Sequence, residues 1–251
     1  METVLTYPRL VFVIALLVLW LAAWAGGRLH RRGRDLDDAE RSDFGVVQGA
    51  TLTLLGLIIG FSFSMAIGRY DQRKTYEEAE ANAIGTEYVR ADLLPAAEAA
   101  RTKELLRRYT DLRILFYVTR DHVALDRLAA ETAAVQDELW KTVAKTANAQ
   151  PTPVTALAAA GMNDVLNSQG YTQAAWWNRI PEAAWGLMFL IAIFANVMLG
   201  YGARRVRPGL FVILPLVVSI SFFLIADIDS PRRGVIQVHP QNLESLRDGL
   251  R

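Results

Sequence analysis

The sequence has 251 residues, of which 52% are hydrophobic, and its formal net charge is +1 at pH 7. The absence of cysteine excludes disulfides, thiolate catalysis and cysteine-ligated metals, and the balanced charge offers no basic field for nucleic acid. The apolar residues are gathered into long runs, which is typical of a multi-pass membrane protein rather than of a soluble domain.

The first apolar run, residues 10–27, predicts a transmembrane helix. It is longer than the hydrophobic part of a usual signal peptide and is followed at once by arginines, so we expect a retained anchor. The sequence Ala23-Trp24-Ala25 leaves a cleaved signal peptide as the alternative. Residues 28–47 are predicted to be a basic linker, and residues 1–68 to contain the first two transmembrane helices.

The central element is predicted to be one helix over residues 49–94. Its first part, residues 49–68, carries no charge and is long enough to cross a bilayer at about 1.5 Å per residue. The sequence after Gly68 is charged, but it keeps an apolar stripe at helical spacing and has no proline until Pro95. We therefore predict a single helix that begins in lipid and continues into water.

The membrane part of this helix carries two rows of side chains at four-residue spacing. One row is small and favours close helix packing in lipid: Gly56, Gly60, Ser64 and Gly68. The neighbouring row is bulky and apolar: Leu57, Phe61 and Met65. Together they suit either packing within one subunit or a symmetric ring of helices around a narrow apolar constriction.

Polar residues follow where the helix leaves the lipid. Arg69 and Asp71 are expected either to anchor at the membrane interface or to form a charged ring at a pore mouth. A four-spaced polar row is a solvent-facing surface in a monomer and a vestibule lining in a ring: Glu78, Asn82 and Thr86. Three further carboxylates are assigned, like Glu78, to the solvated face of the helix, with a catalytic role as the minor alternative: Glu77, Glu80 and Glu87.

The remaining chain predicts an all-α protein. Residues 69–180 are expected to form a water-soluble antiparallel helical bundle, whose last helix, residues 155–177, is interrupted near Gly170. Residues 181–227 contain the third and fourth transmembrane helices, and residues 228–251 form a polar tail. No catalytic motif, metal-ligand spacing or cofactor-binding loop is found, so we expect neither an enzyme nor a bound cofactor.

The loops between the spans indicate an orientation. Arginines cluster in residues 28–41 and 204–207, and short loops rich in arginine usually face the cytoplasm. The termini and the helical domain are therefore expected on the extracytoplasmic side.

Two segments carry a resemblance to a known family. They include Gly60-Phe61, Arg69-Tyr70-Asp71, residues 80–86 and 90–94, and the tail over residues 222–246. Over nearly the whole chain the sequence resembles the bacterial bestrophin-like membrane proteins. The resemblance implies a multi-pass protein of the bacterial inner (plasma) membrane.

The resemblance extends more distantly to the bestrophins, which are pentameric ion channels with an apolar neck on the second span. It implies a homo-oligomer, a pentamer if the likeness holds, with lipid and inorganic ions as partners and with the neck at Leu57, Phe61 and Met65. Two features depart from that pattern. The acidic calcium clasp is represented at most by Asp227 and Asp229, and the expected orientation is opposite to that of bestrophins. The alternative function is a membrane-anchored sensor or scaffold whose helical domain binds a partner or a small ligand.

Overall fold

The computed structural model describes residues 5–32, 36–203 and 210–250, and no strand occurs among them. Its helices are α1 (Pro8–Arg32), α2 (Asp38–Arg90), α3 (Ala96–Val118), α4 (His122–Ala149), α5 (Pro153–Trp177), α6 (Glu182–Gly202), α7 (Leu210–Asp229) and α8 (Gln241–Gly249), with a 3-10 turn at Ala91–Leu93. The predicted all-α fold is confirmed. Arg34 and the predicted arginine loop at residues 204–207 lie outside the described residues.

The chain divides into two compact units. The first comprises Met1–Arg69 and Arg179–Ile236, and the second comprises Tyr70–Asn178 and Gln237–Arg251. Among the described residues, four helical stretches are long and apolar enough to cross a membrane: Pro8–Arg31, Asp38–Leu93, Pro153–Gly202 and Phe211–Asp229.

Helix α2 confirms the prediction of one long helix, because its 53 residues run without a break through the change from apolar to charged sequence. The helix begins at Asp38, which lies inside the linker predicted over residues 28–47. Asp37 Oδ1 accepts a hydrogen bond from the Glu40 backbone N–H at 2.8 Å, and Glu40 Oε2 accepts one from the Asp37 N–H at 3.0 Å. This reciprocal cap starts the helix at Asp38, so the linker is shorter than predicted.

In the first unit, α1 packs against α6 and α7. The backbones of α1 and α6 touch at two glycines. A Cβ added to Gly26 would lie 2.0 Å from the Val197 carbonyl oxygen, and one added to Gly200 would lie 1.9 Å from the Ala23 carbonyl oxygen. A close contact between small residues is therefore made by α1 and α6 within the described chain.

In the second unit, α5 begins at a capping box formed by Thr152 and Thr155 and runs unbroken to Trp177. The predicted interruption near Gly170 was wrong. A glycine inside a helix costs only about 1 kcal/mol relative to alanine, and the buried α5 residues Ala158, Met162 and Val165 hold the helix against its neighbours. The predicted polar tail contains helix α8, which buries Leu243 in the core of this unit.

Candidate functional site

The bulky row of α2 is turned away from its own subunit. Leu57, Phe61 and Met65 are 52%, 64% and 46% exposed, although they lie in the uncharged part of the helix. The opposite side of the same segment is buried through Leu55 and Ala66. Such an apolar face can be covered only by lipid or by another protein chain.

The small row of α2 is open as well. A Cβ built on Gly56, Gly60 or Gly68 would meet no atom within 4 Å, and Ser64 is exposed. This row therefore makes no close helix contact within the described subunit, in contrast to Gly26 and Gly200.

Arg69 and Asp71 differ in their surroundings. Arg69 Nη1 lies 3.4 Å from Asp229 Oδ1, and the Arg69 side chain is only 14% exposed. Asp229 also accepts hydrogen bonds from the Ile180 backbone N–H, at 3.2 Å to each carboxylate oxygen. Arg69 is thus paired inside its subunit, whereas Asp71 is exposed.

The two aspartates in the last turn of α7, Asp227 and Asp229, accept hydrogen bonds from backbone groups. Asp227 accepts hydrogen bonds from the Val235 N–H at 2.7 and 2.9 Å and from the Ile236 N–H at 2.8 Å. Both aspartates are 2% exposed. Within the part of the chain that the structure describes, no group of three or more His, Cys, Asp or Glu side chains could hold a metal ion. Asp227 therefore binds the segment that follows α7, and Asp229 binds Ile180 and Arg69.

The polar row in the second unit is exposed at all three positions, Glu78, Asn82 and Thr86. Asn82 and Thr86 also line an open surface groove of about 500 Å³ between α2 and α8. Gly85 and Leu246 contribute to its walls.

The other carboxylates of α2 were misassigned from sequence. Glu77, Glu80 and Glu87 are 1%, 0% and 0% exposed, so they belong to the buried side of the helix and not to its solvated face. Their positions are separated by three and seven residues, as on one side of a helix, and Ile84 lies among them. The helical spacing was therefore the signal that could have identified them as buried, but their charge argued against burial.

Two of these carboxylates bind other elements of the second unit. Glu77 Oε1 accepts hydrogen bonds from the backbone N–H groups of Asn242 at 2.9 Å and Leu243 at 3.0 Å, so it caps the start of α8. Glu80 forms a buried ion pair with Arg113 of α3 and accepts a hydrogen bond from Thr172 Oγ1 of α5 at 3.0 Å. Together they tie α2 to α3, α5 and α8.

The electrostatics of this network follow from burial. Burial by itself disfavours the charged form of Arg113. The charge and hydrogen bond of Glu80, together with Tyr109 and Tyr117, outweigh burial and raise the pKa of the guanidinium. Burial, with Glu80 adding to its effect, raises the pKa of the Tyr109 and Tyr117 hydroxyls. The two tyrosines therefore stay neutral beside a charged pair.

Comparison with known proteins agrees with this architecture. A family model for the Bestrophin-like domain matches residues 12–243. Among solved structures, the fold is similar to a bacterial bestrophin homologue from Klebsiella pneumoniae solved by zinc anomalous phasing, with a TM-score of 0.65 and 15% identity over 96% of each chain. A tryptophan-to-alanine variant of a bestrophin homologue from the same organism gives a TM-score of 0.66 and 14% identity over 95% of each chain. No curated protein sequence matches significantly.

The family match covers most of the chain, and the structural likeness extends over nearly all of both molecules. The long apolar helices give the chain the spans that a membrane protein needs. The chain belongs to the bestrophin-like family and is a membrane protein of the bestrophin type.

Proposed function

We propose that this protein is an oligomeric ion channel of the bacterial inner membrane, a pentamer as in bestrophins, with Leu57, Phe61 and Met65 from each subunit forming the neck of the pore. The observation that carries the proposal is the exposure of these three side chains on the uncharged part of α2. A bulky apolar row that its own subunit leaves uncovered fits a constriction around a symmetry axis.

The small row supports the same arrangement. Gly56, Gly60 and Gly68 have open space in front of them, so the helix of a neighbouring subunit can approach closely there. A bulky row would then face the axis while a small row meets the next copy. Polar side chains at Glu78, Asn82 and Thr86 would line the vestibule beyond the neck.

The proposed gate needs no charged ligand. A constriction lined by leucine, phenylalanine and methionine side chains excludes water, and ions cannot cross it while it is dewetted. Of the two charged residues proposed for the pore mouth, Arg69 is paired with Asp229, so the exposed Asp71 is the one that would face the pore. An acidic ring there would favour cations over anions.

The test is a recording from lipid bilayers that contain the purified full-length protein, as wild type and as Phe61→Ala. The substitution removes the aromatic side chain of Phe61, which lets water persist in the neck, so we expect the conductance to rise. A Phe61 ring packed inside its own subunit would instead leave a cavity on truncation, costing about 3–5 kcal/mol. The thermal unfolding midpoint is therefore measured beside the conductance.

A matched control is Phe194→Ala, because Phe194 is 57% exposed on α6, a different span. Its removal should change neither the conductance nor the midpoint. Silent bilayers for both wild type and Phe61→Ala, from protein that is folded and inserted, would contradict the channel and favour the membrane-anchored sensor or scaffold.

A further inference from the structure

Glu87 is the one member of the buried α2 carboxylates that binds no other element through a hydrogen bond. It is fully buried, and neither carboxylate oxygen has a hydrogen-bond partner among the described residues. Its side chain lies against α5 at Gly161. A Cβ at Gly161 would come within 2.1 Å of Glu87 Oε2, so the carboxyl group lies directly against the backbone of α5.

Charged groups of both signs surround this carboxyl. Arg90 of α2 reaches the same glycine, since its Nη1 would lie 2.5 Å from a Cβ at Gly161, and its charge favours the ionised carboxylate. Asp164 of α5 opposes ionisation. In the following 3-10 turn, Asp92 is engaged by Lys103 of α3 at 2.6 Å.

The group lies outside the membrane. Glu87 follows Gly68 by about five helical turns, or about 28 Å along the helix axis, in a segment that is charged throughout. Its proton can therefore exchange with the aqueous side of the protein whenever the α2–α5 contact opens.

We propose that Glu87 is a proton-binding site that holds α5 against α2 in its neutral form and weakens this contact when the proton leaves to solvent. A neutral carboxyl can be buried without a partner at modest cost, whereas an unpaired carboxylate next to Asp164 is expensive to bury. The proposal does not depend on ion conduction.

The electrostatics support the geometry. Burial raises the pKa of Glu87 from 4.5 to about 8, against the lowering effect of Arg90, and Asp164 adds to the rise. The native state therefore keeps a proton that the opened state releases. The contact is most stable below about pH 4.5 and loses stability as the pH rises towards about 8. Above that pH both states are ionised and the loss stops.

The experiment uses the full-length protein in lipid nanodiscs, as wild type, Glu87→Gln and the control Glu78→Gln, whose carboxyl is exposed on the same helix. Infrared spectra detect the C=O stretch of a protonated carboxyl. Hydrogen exchange, corrected for the intrinsic effect of pH, measures the opening of α5. Glutamine is the closest neutral mimic of a protonated glutamate, so Glu87→Gln should fold.

At pH 6 we expect a carboxyl band that is present in wild type and Glu78→Gln and missing in Glu87→Gln, and that disappears as the pH passes about 8. Opening of α5 should rise about tenfold per pH unit between about pH 5 and pH 7.5 in wild type, and stay level in Glu87→Gln. Asp164→Asn should shift the titration of the band to lower pH, because it removes a negative charge next to Glu87.

Three results would overturn the proposal. They are a wild-type band that is absent at pH 6, an exchange profile that Glu87→Gln leaves unchanged, and a band that Asp164→Asn does not shift.

Discussion

Single residues on the buried side of α2 hold the second unit together through charge rather than through apolar contact alone. Glu77 and Glu80 each bind donors on another element. Burying such groups is tolerated only because their hydrogen bonds are satisfied. When one partner is removed, the other stays buried without a hydrogen bond, and its full desolvation cost destabilises the fold.

Glu77→Ala tests this point. Truncation removes the acceptor for the backbone N–H groups of Asn242 and Leu243, so we expect the free energy of unfolding of the second unit to fall by about 1–3 kcal/mol. Amide exchange in α8 should increase first, because these are its N-terminal donors. The matched control is Glu78→Ala, which is exposed and should stay within about 0.5 kcal/mol of wild type. Equal effects of the two substitutions would contradict the capping role.

At the scale of the helix, close approach of backbones decides how the first unit packs. The contact between α1 and α6 needs glycine at position 200, because a Cβ there would collide with the Ala23 carbonyl. Along the same helix, Gly186 has nothing within 4 Å. One helix therefore offers both a constrained glycine and an unconstrained one.

Gly200→Ala should lower the stability of the first unit by about 1–3 kcal/mol, because α1 and α6 must move apart to admit the methyl group. Gly186→Ala should be neutral or slightly stabilising, since alanine favours the helix by about 1 kcal/mol over glycine. Thermal unfolding midpoints of both variants in the same detergent measure the difference. A Gly200→Ala protein as stable as Gly186→Ala would mean that this helix contact does not stabilise the unit.

At the scale of the whole molecule, the open glycine row of α2 is proposed to meet a second copy of the chain. Gly60→Leu should leave the fold of the subunit intact, because nothing lies within 4 Å of that position, while it blocks the neighbouring helix. Native mass spectrometry should show a pentamer for wild type and smaller species for Gly60→Leu. Gly186→Leu on α6 serves as the control and should keep the wild-type mass. A monomeric wild type would refute the oligomer directly.

The orientation of the molecule is a separate prediction. Arginines in the two short loops predict that these loops face the cytoplasm. A reporter that is active only outside the cytoplasm should therefore work when fused at Ala149, which ends α4, and fail at Arg34. Activity in the reverse pattern would put the helical domain in the cytosol and show that loop charge does not set the orientation of this chain.

The sequence alone determined the all-α class, the apolar segments and the unbroken run of α2 from apolar into charged sequence, because runs and periodicities are local properties of the chain. It also singled out the bulky and small rows, since four-residue spacing fixes which residues share a side of a helix. It assigned Glu77, Glu80 and Glu87 to solvent, and these three residues are buried.

Only the tertiary structure decided those positions, because the partners of the carboxylates are distant in sequence. Arg113 follows Glu80 by 33 residues, and Asn242 follows Glu77 by 165. The pairing of Arg69 with Asp229 is equally remote, at 160 residues. From sequence, a charged side chain is predicted to be solvent-exposed unless its partner is known. Here the partner comes from a distant part of the chain and is revealed only by the packing of the helices.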